Sequence, residues 1–264
     1  MMKIGVIPDS FEVPFKEAVI LARDLGVKGL QPYVTRGELA PENLTKEDRR
    51  EILKFVKDNG LVFSALCADF GLPFNTRDNE AGVERTKRMM DLALDFDTHV
   101  ITTHIGKVPQ DENSEEYKNI LATIEKLGKY GDEIGVAFAT ETGPEKAYIL
   151  KGILDKADTK SAKVNLDPAN FVMCSAQNPA EAVYLLKDYI VHTHAKDGVM
   201  LDNEGHYQEL ILGEGGVNFP EYLAALKDVG YDGFLTIERE AGATRFADIK
   251  HAVTFLTENL KKLY

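Results

Sequence analysis

VAFATETGPEKAYILKGILDKADTKSAKVNLD, spanning Val136–Asp167, reads as one strand–helix–strand unit. Two short apolar runs, Val136–Glu141 and Lys163–Asp167, flank Pro144–Lys156, a stretch long enough for a helix. The runs are too short for helices, and their composition suits strands buried on both faces. Strands joined by a helix pair in parallel. Working outward, the same alternation recurs. The other apolar runs are Lys3–Ile7, Gly29–Val34, Leu61–Leu66, Thr98–Thr103, Tyr189–Ala195 and Phe234–Glu238. Amphipathic stretches lie between them at Pro14–Leu25, Leu44–Asn59, Ala81–Asp95, Ser114–Ile134, Phe219–Val229 and Arg245–Leu260. Thr45 with Asp48 marks one helix start and Asn59-Gly60 its stop; Asn178-Pro179 marks another start. Eight strand–helix units close naturally into a (β/α)₈ TIM barrel, expected here as a single domain over residues 1–264. A doubly wound open sheet is the competitor, but the chain lacks its strand-Gly-x-Gly-x-x-Gly-helix start.

The 264 residues are 44% apolar and 28% charged, the composition of a globular protein and not of a disordered one. A formal charge of −12 disfavours phosphate backbones and anionic membranes, so neither nucleic acid nor membrane is an expected partner. No apolar run approaches the roughly 20 residues of a membrane helix. The N-terminal MMKIGVIPDS carries neither an extended apolar stretch nor a small-residue cleavage site, so a cytoplasmic location is expected. Cys67 and Cys174, the only cysteines, form no disulfide framework or CxxC zinc site.

In such a barrel, chemistry sits at the C-terminal ends of the strands. Those ends read His104 (VITTH), Glu141 (VAFATE), Asp167 (KVNLD), His194 (YIVHTH) and Glu238 (FLTIE). One charged residue closing a strand marks no more than its exit to water. Glu, Asp, His and Glu on four consecutive strands would face one spot from adjacent staves. Three carboxylates crowded together repel unless something positive lies among them. With one imidazole they make a coordination set for Mn²⁺, Mg²⁺ or Co²⁺.

From strand five onward the chain resembles the xylose isomerase-like barrels: the sugar isomerases, epimerases and inosose dehydratases that share a pattern with endonuclease IV. The matching pieces are ETGP (Glu141–Pro144), NLDPAN (Asn165–Asn170), HAKD (His194–Asp197), LGEGGVNFPEYLAALKDVGYDGFLTIERE (Leu212–Glu240) and, more weakly, THIG (Thr103–Gly106). The resemblance implies that Glu141, Asp167, His194 and Glu238 hold one divalent metal, Mn²⁺ first, with Mg²⁺, Co²⁺ or Zn²⁺ as alternatives. It also implies a small-molecule sugar or polyol as the partner, and a homo-oligomer. The chain departs from the pattern at Asn170, where many relatives carry a histidine. An amide can donate to a sugar hydroxyl or carbonyl but cannot shuttle a proton. Further zinc ligands of endonuclease IV would fall on Tyr207, Glu209 and Asn170, so a three-zinc cluster would be incomplete.

The expected chemistry is isomerisation or epimerisation of a ketose or related polyol ketone through an enediolate, with Glu141 and Glu238 as acid and base. An inosose-type dehydratase is the nearest alternative, followed by an endonuclease-like hydrolase and a non-catalytic sugar-binding subunit. His104, Asn170 and Lys196 are the candidate substrate contacts, each with a purely structural or solvated role as its alternative. His192 is expected behind His194, and Glu145 and Arg239 on a solvated rim. Gly213, Gly215 and Gly216 fall where many barrels bind phosphate with backbone amides, but no Lys or Arg lies within that loop. An unphosphorylated substrate is slightly preferred. Phe11, Phe15, Tyr33, Phe70 and Phe74, on the loops after strands one to three, are expected to pack.

Overall fold

The computed structural model describes residues 1–202 and 205–264. Its strands are β1 (Lys3–Val6), β2 (Gly29–Leu30), β3 (Val62–Phe63), β4 (Leu66–Cys67), β5 (Val100–Thr103), β6 (Ala137–Glu141), β7 (Ala162–Leu166), β8 (Ile190–Ala195), β9 (Asp197–Met200), β10 (Tyr207–Leu210) and β11 (Phe234–Ile237). Nine of them form one sheet in the order β3-β2-β1-β11-β8-β7-β6-β5-β4, with parallel pairing throughout. The two ends of this order are consecutive in the chain. β3 pairs with β2, and β4 pairs with β5, so one stave is split between two neighbours and the sheet closes into an eight-staved barrel. The expected run Leu61–Leu66 therefore breaks at Ser64, whose N–H and hydroxyl both donate to Leu30 O, at 2.8 and 3.1 Å.

The helices are α1 (Phe15–Asp24), α2 (Lys46–Asp58), α3 (Glu80–Asp95), α4 (Glu115–Ile134), α5 (Ala147–Lys156), α6 (Pro168–Ser175), α7 (Pro179–Leu186), α8 (Phe219–Asp228) and α9 (Arg245–Leu263). The expected caps are present. Thr45 and Asp48 exchange backbone hydrogen bonds at 2.8 and 3.2 Å, and Asn178 Oδ1 accepts from Ala180 N at 2.8 Å with Pro179 in the first turn. Gly135, at φ +75°, ends α4 and turns the chain into β6. A Cβ at Gly131 would lie 2.3 Å from Val136 O, so only glycine permits this helix–strand approach. None of the described helices is long and apolar enough to cross a membrane.

The core lies between barrel and helices. Phe63 stacks on Phe96 at 4.6 Å and Phe74 meets Phe138 at 5.9 Å. Phe11, Phe15 and Phe74 are buried as expected, while Tyr33 and Phe70 are half-buried.

Two elements go beyond the sequence-based expectation. Helix α6 starts directly after Asp167, with no connecting loop, and the antiparallel hairpin β9–β10 follows β8 after one residue. Inside the barrel the layer below the rim is polar where such barrels usually carry Val, Ile and Leu. His192 Nδ1 meets Asn165 Oδ1 at 2.9 Å, Thr236 Oγ1 meets His192 Nε2 at 2.9 Å, and Gln31 Nε2 donates to Thr102 Oγ1 at 2.8 Å. Burial and the neighbouring His194 hold His192 well below its ordinary pKa. This layer supports the site above it.

Candidate active site

Asp167 leaves β7 and caps α6. Its Oδ1 accepts from Ala169 N at 2.7 Å and Asn170 N at 3.2 Å, with Pro168 fixing the first turn. The cap fixes the side chain so that Oδ2 lies 3.6 Å from His194 Nδ1. Strand alternation puts His192 and His194 on one side of β8. His194 Nε2 lies 3.1 Å from both Gln31 Oε1 and Asn165 Nδ2, which hold the ring with Nδ1 turned towards the carboxylates. That nitrogen is 3.2 Å from Glu238 Oε2 and 3.4 Å from Glu141 Oε1. One ligand atom from each of Glu141, Asp167, His194 and Glu238 lies within 4.8 Å of the other three, and all four residues are buried.

Such a cluster demands positive charge. Burial would lower His194, yet Glu238 and Glu141 raise it well above its ordinary value. Asp167 Oδ2 and His194 Nδ1 are both buried with no hydrogen-bond partner among the described residues. Buried polar atoms are normally satisfied. A divalent cation held by three carboxylates and one imidazole would satisfy both, and the donor set fits one.

Each carboxylate has its own supports. Asn170 Nδ2 donates to Glu141 Oε1 at 3.2 Å and to Thr142 O at 3.0 Å, and Asn165 Nδ2 donates to Glu141 Oε2 at 3.4 Å. His104 Nε2 lies 3.5 Å from Glu141 Oε1, while its Nδ1 meets Asp69 Oδ2 at 2.7 Å. Glu141 is the largest influence pushing His104 up to about 10; burial opposes it and Asp69 adds to it. Lys196 Nζ lies 3.1 Å from Glu238 Oε2, also pairs with Glu240, and has Glu209 at 3.9 Å. Burial alone would raise Glu238, but Lys196 and His194 hold it well below the usual carboxylate range.

The three expected substrate contacts thus all touch the cluster's carboxylates. One expectation is corrected. Arg239 and Glu145 are buried and not on a solvated rim. Arg239 is held by Glu209 at 2.6 Å and by Asp248 at 2.9 Å, from β10 and α9; burial raises the Glu145 carboxyl. The glycine loop after β10 is also spoken for. Asp197 accepts from the amides of Gly198 and Gly213 at 2.9 Å and of Gly215 and Val217 at 3.0 Å. A carboxylate of the chain itself fills the nest where many barrels bind phosphate.

Sequence reasoning missed Gln31, Asn165, Asp69, Asp197 and Glu209. Gln31 and Asn165 did leave a signal, since each is a polar residue inside an apolar strand run.

The profile of the xylose isomerase-like TIM barrel family matches residues 19–259. The structure is similar to that of a xylose isomerase domain protein from Planctomyces limnophilus, with TM-score 0.86, 26% identity and coverage of 99% of this chain and 98% of that one. It is also similar to a D-tagatose 3-epimerase-like protein, with TM-score 0.81, 22% identity and coverage of 99% and 98%. Uncharacterized protein MJ1311 of Methanocaldococcus jannaschii is 29% identical over 63% of this chain, a match that spans 59% of that relative. The chain belongs to the xylose isomerase-like TIM barrel family.

Proposed function

We propose that the chain is a divalent-metal-dependent isomerase or epimerase that moves a proton next to the carbonyl of a ketose or related polyol ketone. The observation that carries this is the Asp167 Oδ2–His194 Nδ1 pair, 3.6 Å apart, buried and unpartnered, with Glu141 and Glu238 against the same nitrogen. Glu141, Asp167, His194 and Glu238 would hold the ion. When bound, it supplies a Lewis acid for negative charge developing on substrate oxygens.

The chain's own residues do the rest. Glu141 and Glu238 come from staves on either side of the Asp167–His194 pair and exchange the proton on the carbon beside the carbonyl. Service of both faces of that carbon gives an epimer; service of one face gives the aldose. Asn170 and Asn165 orient Glu141. Lys196 keeps Glu238 ionised and so ready to accept a proton. His104, with 49% of its side chain exposed, is placed to meet incoming substrate while touching Glu141. Filling of the amide nest by Asp197 favours an unphosphorylated substrate. The name of the D-tagatose 3-epimerase-like neighbour agrees with a ketose.

The test is metal content of gently purified protein with Asp167→Asn beside it. About one divalent ion per chain is expected, and it should be lost in Asp167→Asn, which can keep the α6 cap. Metal-dependent uptake of solvent deuterium by ketoses should follow. Absence of metal, with none taken up from added Mn²⁺, Mg²⁺, Co²⁺ or Zn²⁺, overturns the proposal. Release of water from the substrate would instead identify a dehydratase.

A further inference from the structure

Beside Glu238 lies a cavity of about 190 Å³ whose wall includes Asp9, Tyr33, Arg36, Arg239 and Arg245. Three arginines in one small wall stand out in a chain of net charge −12. Their partners differ. Arg239 is occupied by Glu209 and Asp248. Arg36 makes no hydrogen bond or ion pair with a described residue; its guanidinium carbon lies 5.9 Å from the centre of the Tyr33 ring. Arg245 Nη1 is 3.2 Å from Glu12, whose side chain is 64% exposed. The Arg245 Nε is buried and has no partner among the described residues.

The carboxylates of the same wall are mostly answered. Glu238 and Glu240 both pair with Lys196. Burial raises the Asp9 carboxyl, against the Tyr33 N–H that it accepts at 3.1 Å and the nearby Arg36. The donors left over are the exposed Arg36 guanidinium, which makes no direct hydrogen bond or ion pair with a described residue, and the buried Nε of Arg245.

We infer that this cavity is a subsite for a carboxylate on the substrate, gripped by Arg36 and Arg245, while the ketone end of the same molecule meets Glu238. The substrate class is then a keto sugar acid, which rests on the ketone chemistry proposed above and narrows it. A guanidinium presents paired N–H donors that match a carboxylate. Phosphate fits less well. Asp9, Glu238 and Glu240 would repel a dianion more strongly than a monoanion, and the chain's amide nest is already filled by Asp197.

The test compares three probes of one carbon skeleton on Mn²⁺-loaded protein, differing only at the end away from the ketone: D-fructuronate, D-fructose and D-fructose 6-phosphate. Calorimetric titration reads binding, and deuterium uptake from solvent reads the chemistry. The keto acid should bind at least about tenfold more tightly than D-fructose, an advantage that shrinks at high salt. In Arg36→Ala/Arg245→Ala the advantage should vanish, and in Arg36→Ala alone it should fall part way. Unchanged melting and Mn²⁺ stoichiometry show that these variants are folded. Equal binding of keto acid and fructose, binding of none of the three, preference for the phosphate, or an advantage that survives the double substitution overturns the inference. The two proposals fail separately. Deuterium uptake by D-fructose without a carboxylate preference removes only the subsite; a carboxylate preference without uptake by any ketone removes only the ketone chemistry.

Discussion

Gln31 Oε1 lies 3.1 Å from His194 Nε2, reaching from the end of β2 to β8. Gln31 is itself held by Thr102, to which its Nε2 donates at 2.8 Å. Asn165 Nδ2 lies at the same 3.1 Å from His194 Nε2, so Gln31 and Asn165 together hold the imidazole with Nδ1 facing the three carboxylates. Gln31 is fully buried, so its amide has no water to turn towards.

Replacing Gln31 with leucine removes the acceptor and leaves Asn165 to hold that side of the His194 ring. Loss of such a supporting partner typically weakens metal affinity by about 10–100-fold. An unsatisfied buried donor adds a stability cost of about 1–3 kcal/mol. Gln31→Glu retains an acceptor and should keep more of the affinity than Gln31→Leu. Mn²⁺ titration of both variants reads the difference, and equal affinities in wild type and Gln31→Leu would mean that Asn165 holds the ring without Gln31.

Much of this site was legible in the chain, for a physical reason. Parallel strands buried on both faces must be nearly continuous apolar runs, so a charged residue at a run's end announces the rim. That is how Glu141, Asp167, His194 and Glu238 emerge before any coordinates. Helix α6 was hidden because Asp167 is both the last residue of the strand reading and the N-cap of the helix, which leaves no turn signal between them. The hairpin β9–β10 was hidden because HAKDGV continues an extended pattern past the barrel rim. Pairings such as Arg239 with Glu209 join residues 30 apart across separate elements, so nothing local marks them as buried.

Lys196 is a buried cation beside Glu238, and its removal should be felt most where carboxylates are ionised. In the wild type Glu238 is held below its ordinary pKa. Its contribution to stability is therefore complete above the ordinary carboxylate range and lost as pH falls through the depressed folded value. In Lys196→Met the buried Glu238 loses that cation. We expect metal-free Lys196→Met to be less stable than wild type by about 3–5 kcal/mol near pH 8. The deficit should narrow towards about pH 3, as pH falls below the ordinary carboxylate range towards the depressed folded value of Glu238. Urea unfolding in chelator at both pH values measures it. A deficit that does not change with pH would assign the loss to packing of the lysine stem.

Asp197 and the loop it holds give the sharpest steric prediction. A Cβ on Gly215 would sit 2.2 Å from Asp197 Oδ1 and 2.5 Å from Gly198 N, contacts that cannot be relieved by turning a flexible side-chain tip because one of them is backbone. Gly215→Ala should therefore push Asp197 out of its nest, with an overpacking cost of about 1–3 kcal/mol. Asp197→Ala vacates the same nest without adding an atom, leaving the amides of Gly213, Gly215 and Val217 without their present acceptor. If Asp197 is an internal substitute for an external anion, then inorganic phosphate should raise the melting temperature of Asp197→Ala and leave the wild type unchanged. Equal responses in the two proteins would show that the carboxylate ties the loop down without excluding phosphate from it.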